Sequence, residues 1–307
     1  MPENHLAIYE QELALGEGYL AAGENERAEI VFLELTSCLQ EFLADGHLLL
    51  LEAQFGLARS IERKRDLELA QEYFQELLTT AQTLGHRDLE ARLLIQLALI
   101  YEQSGAPELC LDYLLRAQKL VSVHGLRTCE PQLAVRLSSY HRIYADQDSA
   151  RYYAERAIAV GKSVDIAGEQ VVHIADSYLL LGMLTSSDGL AASNEVAEQA
   201  SYYYSLAGNH FYGAAVMHNL TETALRAHKA TDARVYNRRA FAIARKINDR
   251  SSGYFKLLSE LHGHASRIQT MLGQADSSMY HLTLKAEFEV KGTEQYSEER
   301  ISKLELR

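Results

Sequence analysis

The sequence predicts an all-α protein, a solenoid of about seven helical hairpins with one further helix at the C-terminus. A short pattern returns seven times, and the residue that opens the second helix of each hairpin recurs at steps of 42, 40, 40, 43, 40 and 42 residues. Such a period is typical of stacked helical repeats. The openers are small or thin: Ala28, Ala70, Cys110, Ala150, Ser193, Ala233 and Ala275. Seven positions after each comes a second small or apolar residue, first Leu35 and last Leu282.

Composition agrees with this prediction. Hydrophobic residues make up 47% of the 307, enough for a continuous core, and three prolines with no tryptophan favour uninterrupted helices over a β fold. The net charge of −12 argues against nucleic-acid binding. We expect a cytoplasmic protein, because there is no signal peptide, the longest apolar stretch (48–51) is too short to span a membrane, and the three cysteines have neither metal nor redox spacing.

The first hairpin defines the pattern. Helix A and helix B each carry one apolar stripe at helical spacing, and the turn between them falls at 22–25. Small residues are expected where the two helices cross closely. The pattern residues are Leu15, Gly16 and Tyr19 on helix A and Ala28, Phe32 and Leu35 on helix B.

The later hairpins follow in order. Hairpin two covers about 47–84, and Pro107 opens helix B of hairpin three, where a missing N–H costs nothing. Hairpin five is looser, with its turn at 186–189. Gly85, Gly125 and Gly208 are predicted to close helices in a left-handed conformation. The small helix A residues are Gly16, Ala58, Ala98, Ser138, Gly182, Thr221 and Gly263.

The Leu-Gly-x-x-Tyr of helix A, followed by the small-aromatic-small spacing of helix B, resembles the tetratricopeptide repeat (TPR). That family has a unit of about 34 residues, whereas these units run to about 40. Longer units of this kind are similar to those of Rap-type peptide-sensing regulators, MalT-type transcription activators and kinesin light chain. The resemblance covers roughly residues 5–290 and implies a right-handed superhelix with helix A on its concave face.

From that placement, the residues beside each small helix A residue should face the groove and bind a partner. They mix arginines and carboxylates with few apolar anchors, which suits a polar peptide or protein segment. His173 and Asp176 are also predicted to face the groove, although the spacing in hairpin five fixes their positions less well. The predicted groove residues are Glu17, Phe55, Arg59, Glu62, Arg92, Glu102, Gln103, Arg142, His218, Glu222, Arg226, Glu260, His264 and Arg267.

No pattern of catalytic chemistry appears. The nucleophile-elbow, P-loop, dinucleotide-binding and HExxH motifs are missing. His262 and His264, two residues apart on a helix, point in different directions and cannot share an ion locally. We therefore expect a protein that is not an enzyme, with no catalytic residue, no cofactor and no metal.

The repeat pattern ends near Gly292. We predict a repeat domain over 1–292 and a charged C-terminal helix over 293–307. In bacterial signalling proteins that resemble this one, such a helix leads into an effector domain, so the chain is expected to be part of a longer sensor. The alternative is a native end, in which this helix covers the last apolar face.

The predicted function is a peptide- or protein-binding scaffold, the regulatory or sensor TPR domain of a bacterial signalling protein. Two alternatives stay open. The array could be a dimerisation module with an empty groove, or it could be a stand-alone peptide-sensing regulator of the Rap type. Neither nucleic acid nor a membrane is an expected partner.

Overall fold

The protein is described from a computed structural model, which covers residues 3–163, 169–185 and 190–305. This part of the chain is α-helical and holds no strand, as the sequence predicts. The turn predicted at 186–189 lies outside it. The helices are α1 Glu3–Ala22, α2 Asn25–Phe42, α3 Leu48–Arg63, α4 Leu67–Leu84, α5 Arg87–Gln103, α6 Pro107–His124, α7 Glu130–Tyr144, α8 Gln147–Ser163, α9 Glu169–Leu184, α10 Leu190–Leu206, α11 His210–Arg226, α12 Ala230–Ala244, α13 Ser252–Met271 and α14 Ala275–Glu305.

The chain divides into two compact units. Unit 1 covers residues 1–193 and contains α1 to α9 with the first residues of α10. Unit 2 covers residues 194–307 and contains the rest of α10 and α11 to α14. The odd-numbered helices are the predicted A helices and the even-numbered ones are the B helices, so the predicted all-α repeat of hairpins is confirmed.

The small openers let the two helices of a hairpin approach each other. Ala28 is the fourth residue of α2 and is fully buried, and the ring of Phe32 lies one turn further on, also fully buried. A Cβ added at Gly16 of α1 would lie 2.6 Å from Cε1 of Phe32. The glycine therefore makes room for the ring that fills the first hairpin.

Two residues of the predicted pattern are placed differently by the structure. Leu15 is 44% exposed, so it is not part of the buried contact of the first hairpin. In hairpin seven the predicted opener, Ala275, is exposed, and the fourth residue of α14 is Ser278, which is buried and bonded to Ser266 of α13 at 2.8 Å. The register of this hairpin was therefore predicted three residues too early.

The turns explain the register. Gly23, Gly105 and Gly273 have positive φ angles of 79°, 73° and 73°, and each lies five residues before the small opener of its helix B. The position of Gly273 thus indicates that Ser278, and not Ala275, is the small opener of α14. At the corresponding place in two other hairpins Arg65 and His228 adopt the left-handed conformation, with φ of 70° and 56°. The predicted left-handed helix ends at Gly85, Gly125 and Gly208 are confirmed by φ values of 74°, 64° and 79°.

Unit 1 is curved with its A helices inside. Successive A helices contact one another (α1 with α3, α3 with α5, α5 with α7, α7 with α9). The B helices touch mainly the A helices on either side of them. The curvature also brings α1 against α9, so five A helices surround a common space.

Unit 2 ends in a long helix. The 31-residue α14 packs along α13 and runs without a break through Gly292 and Thr293. Near its end Glu299 accepts hydrogen bonds from the backbone N–H and the hydroxyl of Ser252, at 2.8 Å each, which completes the first turn of α13. The predicted domain boundary at 292/293 stays a prediction. Among the described helices, none has both the length and the apolar character needed to cross a membrane.

Candidate functional site

The inner face of unit 1 lines a partly open cavity of about 470 Å³. All of its walls come from A helices, which follows from their place on the inside of the curve. The lining residues are Leu13, Ala14, Glu17 and Gly18 of α1, Glu52, Phe55 and Arg59 of α3, Arg92 of α5, Gln132 of α7, and Gln170 and His173 of α9.

Phe55 stands between two arginines. The guanidinium carbons of Arg59 and Arg92 lie 5.3 and 5.1 Å from the centre of its ring, within the range of cation–π attraction. Arg59 donates to both carboxylate oxygens of Glu17, at 2.9 and 3.0 Å. The wall of the cavity is therefore an apolar ring framed by charged groups that are held in place.

Arg92 is held by two carboxylates. It pairs with Glu52 through both terminal nitrogens, and its Nε donates to Asp88 at 2.9 Å. Burial alone would lower the pKa of Arg92, but the carboxylate of Glu52, with help from Asp88, outweighs it and raises the pKa. Arg92 therefore stays charged inside the wall.

The inner polar contacts follow the period of the repeat. Glu17 and Arg59 are 42 residues apart, Glu52 and Arg92 are 40 apart, and Glu62 accepts from Gln103, 41 residues on, at 2.7 Å. Glu102 accepts from Ser139 of the next A helix at 2.8 Å. The first two pairs thus join equivalent positions of successive A helices, and the other two join neighbouring positions near the helix ends.

Two polar side chains of α9 line the cavity, and each has one buried polar atom without a hydrogen-bond partner in the described part of the chain. Nδ1 of His173 and Oε1 of Gln170 are buried and find no partner among the described residues. Burial lowers the pKa of His173 far below its ordinary value, and the nearby Arg136, Arg59 and Arg63 lower it further. His173 is therefore neutral at pH 7.

Unit 2 carries a second cluster, between α11 and α13. The rings of His218 and His264 are stacked with centres 4.5 Å apart. Nε2 of His218 lies 3.1 Å from Oε2 of Glu260, and Nε2 of His264 lies 3.0 Å from Oε2 of Glu222. Glu222 also accepts from Arg267, at 2.5 Å. We call these five residues, with Arg226, the α11–α13 ladder.

The protonation of the α11–α13 ladder follows from its contacts. Burial, then the neighbouring His218, lowers the pKa of His264 to about 4 against the opposing pull of Glu222. Burial tends to raise the pKa of Glu222, but the hydrogen bonds from Arg226 and Arg267 lower it on balance. At pH 7 the ladder thus joins the neutral ring of His264 to the ionised carboxylate of Glu222, which two arginines contact.

The structure places the predicted groove residues in three settings. Four line the unit 1 cavity (Glu17, Phe55, Arg59, Arg92), and three are bonded at the C-terminal ends of α3 and α5 (Glu62, Glu102, Gln103). Six form the α11–α13 ladder (His218, Glu222, Arg226, Glu260, His264, Arg267). Arg142 is exposed on the last turn of α7. Their role in binding a partner stays a prediction.

Several residues that line the cavity were not predicted from the sequence. Glu52 and Gln132 lie six residues before the small residue of their helices, at the same position as Arg92, so extending the predicted stripe by one turn would have found them. Gln170 was missed because hairpin five has irregular spacing. No set of three side chains with the arrangement of a metal site occurs in the described part of the chain.

The fold and the cavity define a helical-repeat protein whose candidate site is built entirely from A helices. No protein-family model matches the chain, and no curated protein matches its sequence. Solved structures do match. A Rap protein in complex with Competence and Sporulation Factor is 13% identical, with a TM-score of 0.54 over 94% of this chain and 99% of the other.

Two more structures are similar in the same way. The apo form of RapI is 10% identical, with a TM-score of 0.53 over 93% of this chain and 99% of the other. NprR in complex with its cognate peptide NprX is 13% identical, with a TM-score of 0.48 over 96% of this chain and 84% of the other. The chain has the fold of a tetratricopeptide-type repeat protein, as its motifs predict.

Proposed function

We propose that the chain is a non-enzymatic binding scaffold of a bacterial signalling protein, which receives a peptide or a short protein segment in the unit 1 cavity. The observation that carries the proposal is the cavity itself, which is lined by five A helices, is partly open to solvent and has both apolar and polar walls. A pocket of this size is in the range that proteins use for small ligands, about 300–1,000 Å³.

The lining suits a few residues of peptide. Leu13 offers apolar contact, and Gln132, Gln170 and His173 give the lining polar side chains that can bond to a peptide backbone or a polar side chain. The charged lining residues form two ion pairs, Arg59 with Glu17 and Arg92 with Glu52. Because these charges compensate each other, the ligand does not have to be highly charged. The Rap structure with the same fold was solved with Competence and Sporulation Factor bound, which supports a ligand-binding role for this fold.

A regulatory role follows from how the cavity is closed. Its walls include both α1 and α9, the first and fifth A helices, which are far apart in sequence and touch in space. A ligand that contacts both α1 and α9 favours the arrangement in which these helices touch over one in which they are apart. The shift depends on how much more tightly the ligand binds the first arrangement. We place this protein in the cytoplasm, where its cysteines stay reduced.

The test fills the cavity from one residue. Gly18 lines the cavity and a Cβ at this position meets nothing within 4 Å, so Gly18→Trp puts an indole into the space without touching the core. Glu12→Trp is the matched control, because Glu12 is exposed on the same helix and does not line the cavity. Random heptapeptides are selected on the immobilised full chain, and the dissociation constants of the enriched peptides are measured.

We expect Gly18→Trp to weaken binding at least about tenfold, which is about 1.4 kcal/mol, and Glu12→Trp to leave it within about twofold. If selected peptides bind Gly18→Trp as well as the unchanged protein, or if none is enriched, the cavity is not a peptide site and the proposal is wrong.

A further inference from the structure

We propose that the outward face of α12 is a docking surface for a second copy of this chain, which presents the outward face of its α2. Both are B helices, and neither contributes a residue to the lining of the unit 1 cavity. The inference therefore does not depend on the proposed function. The outward face of α2 comprises Ile30, Leu33, Glu34 and Glu41, and that of α12 comprises Val235, Arg238 and Arg239, with Arg245 and Lys246 at the helix end.

The outward face of α12 is basic. Residues 226–250 hold eight arginines and lysines against two aspartates, in a chain whose net charge is −12. Arg238 and Arg245 are seven residues apart, so they lie on the same side of the helix, opposite the buried Ala240 and Ala244. Both arginines are exposed.

These two arginines have no acidic partner of their own. The neighbouring Arg239 donates to Glu198 of α10 at 2.6 Å, which compensates one of the guanidinium groups. Arg238 and Arg245 form no ion pair with any residue that the structure describes. Their charges are therefore available to a partner outside the chain.

The outward face of α2 has the opposite charge. Residues 1–46 hold ten aspartates and glutamates against one arginine. Glu34 and Glu41 are exposed and form no ion pair within the described part of the chain. The same side of α2 carries two large apolar residues, Ile30 and Leu33, which are 56% and 54% exposed. This face thus combines unpaired carboxylates with apolar surface.

The two outward faces occupy the same place in the repeat, counted from the small openers of α2 and α12. Two exposed positions that are acidic on α2 are basic on α12, and one exposed apolar position is kept. The matching pairs are Glu34 with Arg239, Glu41 with Lys246, and Ile30 with Val235. Two such helices can pack side by side with apolar contact at the centre and ion pairs around it, as protein interfaces do.

Charge complementarity selects a second copy as the occupant. Two chains of net charge −12 repel each other, and the repulsion becomes attraction where the acidic first hairpin of one copy meets α12 of the other. One exposed ion pair changes an affinity by about fivefold at most, so several are needed together with the apolar side chains. Because the two faces differ, each copy keeps one face free, and association can continue from copy to copy.

The experiment measures the mass of the full chain in solution by sedimentation velocity. Protein concentration is varied at about 50 mM and at about 500 mM NaCl, since salt screens exposed charges. Two variants reverse the charge of one face each. The α2 variant combines Glu34→Lys with Glu41→Lys, and the α12 variant combines Arg238→Glu with Arg245→Glu.

The matched control is Arg116→Glu combined with Lys119→Glu. Both residues are exposed on α6, another B helix, and their reversal changes the net charge by the same amount as the α12 variant. The control therefore separates the effect of the α12 face from the effect of total charge. A mixture of the α2 variant and the α12 variant is measured as well.

We expect the mass of the unchanged protein to rise above 34.5 kDa with concentration at low salt, and to stay at 34.5 kDa at high salt. Each variant alone should associate at least about tenfold more weakly, because its two faces then carry charge of the same sign. The mixture should associate to within about threefold of the unchanged protein, because the intact acidic face of one variant meets the intact basic face of the other. The control should behave like the unchanged protein.

The inference is overturned if the unchanged protein keeps the mass of one chain at every concentration and at both salt levels. It is also overturned if the protein associates but the two variants associate equally well, because another surface then forms the contact. Should a variant not fold, as judged by circular dichroism, carbodiimide cross-linking of isotope-labelled with unlabelled unchanged chains decides. Links from a carboxylate of residues 1–46 to Lys229 or Lys246 of another copy support the docking surface, and their absence contradicts it.

Discussion

In unit 1, Glu17 of α1 is bonded to Arg59 of α3, and in unit 2, Glu222 of α11 is bonded to Arg267 of α13. Each of the four residues directly follows the small residue of its helix, once Ser266 is recognised as that residue in α13. The same repeat position thus makes the same ion pair at both ends of the chain. Yet the pair in unit 1 lines a cavity, while the pair in unit 2 belongs to a ladder of mutually bonded side chains.

The difference lies in what surrounds the pair. In unit 1 five A helices curve until α1 meets α9, which leaves space on the inside. In unit 2, α11 and α13 face each other, and the stacked rings of His218 and His264 fill the space between them. A repeat position therefore decides which residues face inwards, and the number of helices around them decides whether they line a cavity or fill the space between two helices.

The largest expected effect separates packing from lining within one helix of unit 1. Gly16→Leu drives a side chain into the ring of Phe32, whereas Gly18→Leu enters the open cavity. We expect Gly16→Leu to destabilise unit 1 by about 3 kcal/mol, and Gly18→Leu to be neutral or to stabilise it by up to about 1 kcal/mol through better helix propensity. Hydrogen exchange read by mass spectrometry checks both, and α11 to α13 serve as the internal control. Equal losses from the two substitutions would contradict the packing described for Phe32.

The second effect is acid sensitivity of unit 2. The pKa of His264 is lowered from 6.5 to about 4 in the folded protein. Between these two pH values, His264 is protonated in the unfolded chain and neutral in the folded protein. The stability contributed by neutral His264 is therefore present above pH 6.5 and is lost as the pH falls towards 4. We expect a loss of about 2 kcal/mol between pH 7 and pH 4.5, allowing for partial solvent screening.

His264→Phe tests this assignment, because it keeps a ring against His218 and removes the titration. Hydrogen exchange in α13, corrected for the intrinsic pH dependence of exchange, should then vary less with pH. The α9 segment of unit 1 should keep its own acid sensitivity, because the pKa of His173 is lowered in the same direction. An unchanged pH profile in α13 would show that His264 does not carry the effect.

The third prediction compares the two equivalent ion pairs. The side chain of Arg59 is 6% exposed and that of Arg267 is 51% exposed. Glu17→Gln should therefore destabilise unit 1 by about 2 kcal/mol, because it weakens the compensation of a buried charge, and Glu222→Gln should destabilise unit 2 by about 1 kcal/mol. Urea denaturation with and without 1 M NaCl measures both losses of stability. Added salt should greatly reduce the loss caused by Glu222→Gln, whose ion pair is exposed, and should change the loss caused by Glu17→Gln much less. Equal costs with equal salt dependence would mean that burial does not distinguish the pairs.

Much of this architecture could be predicted because it depends on local spacing. The openers Ala28, Ala70 and Ala233 are small where helices cross, and they are fully buried as expected. The inward direction of Glu17, Arg59 and Glu222 follows from helical geometry alone. These features need no knowledge of distant parts of the chain.

The cavity could not be predicted, because it depends on contacts between residues far apart in sequence. Nothing local indicates that α9 returns to α1, so Gln170 and its place in the wall were missed. The pairing of predicted groove residues with each other was also not foreseen, since periodicity gives a direction but not a neighbour. Hairpin seven was misplaced by three residues because Gly263 and Ala275 fit the small-residue pattern, and the left-handed Gly273 marks the true register.

The same left-handed turn position gives the smallest prediction. It holds glycine at Gly23, Gly105 and Gly273, but His228 occupies it between α11 and α12 with φ of 56°. The left-handed conformation destabilises a residue with a Cβ by about 1 kcal/mol, and glycine avoids this strain. Glycine also has more conformational freedom in the unfolded chain, which offsets part of the gain. His228→Gly should therefore stabilise unit 2 by up to about 1 kcal/mol. His228 is exposed, which leaves little packing to lose. Urea denaturation checks this prediction: the midpoint should rise without a change in the slope. The control is His124→Gly, because His124 is an exposed histidine in the last turn of α6. This substitution should lower the urea midpoint.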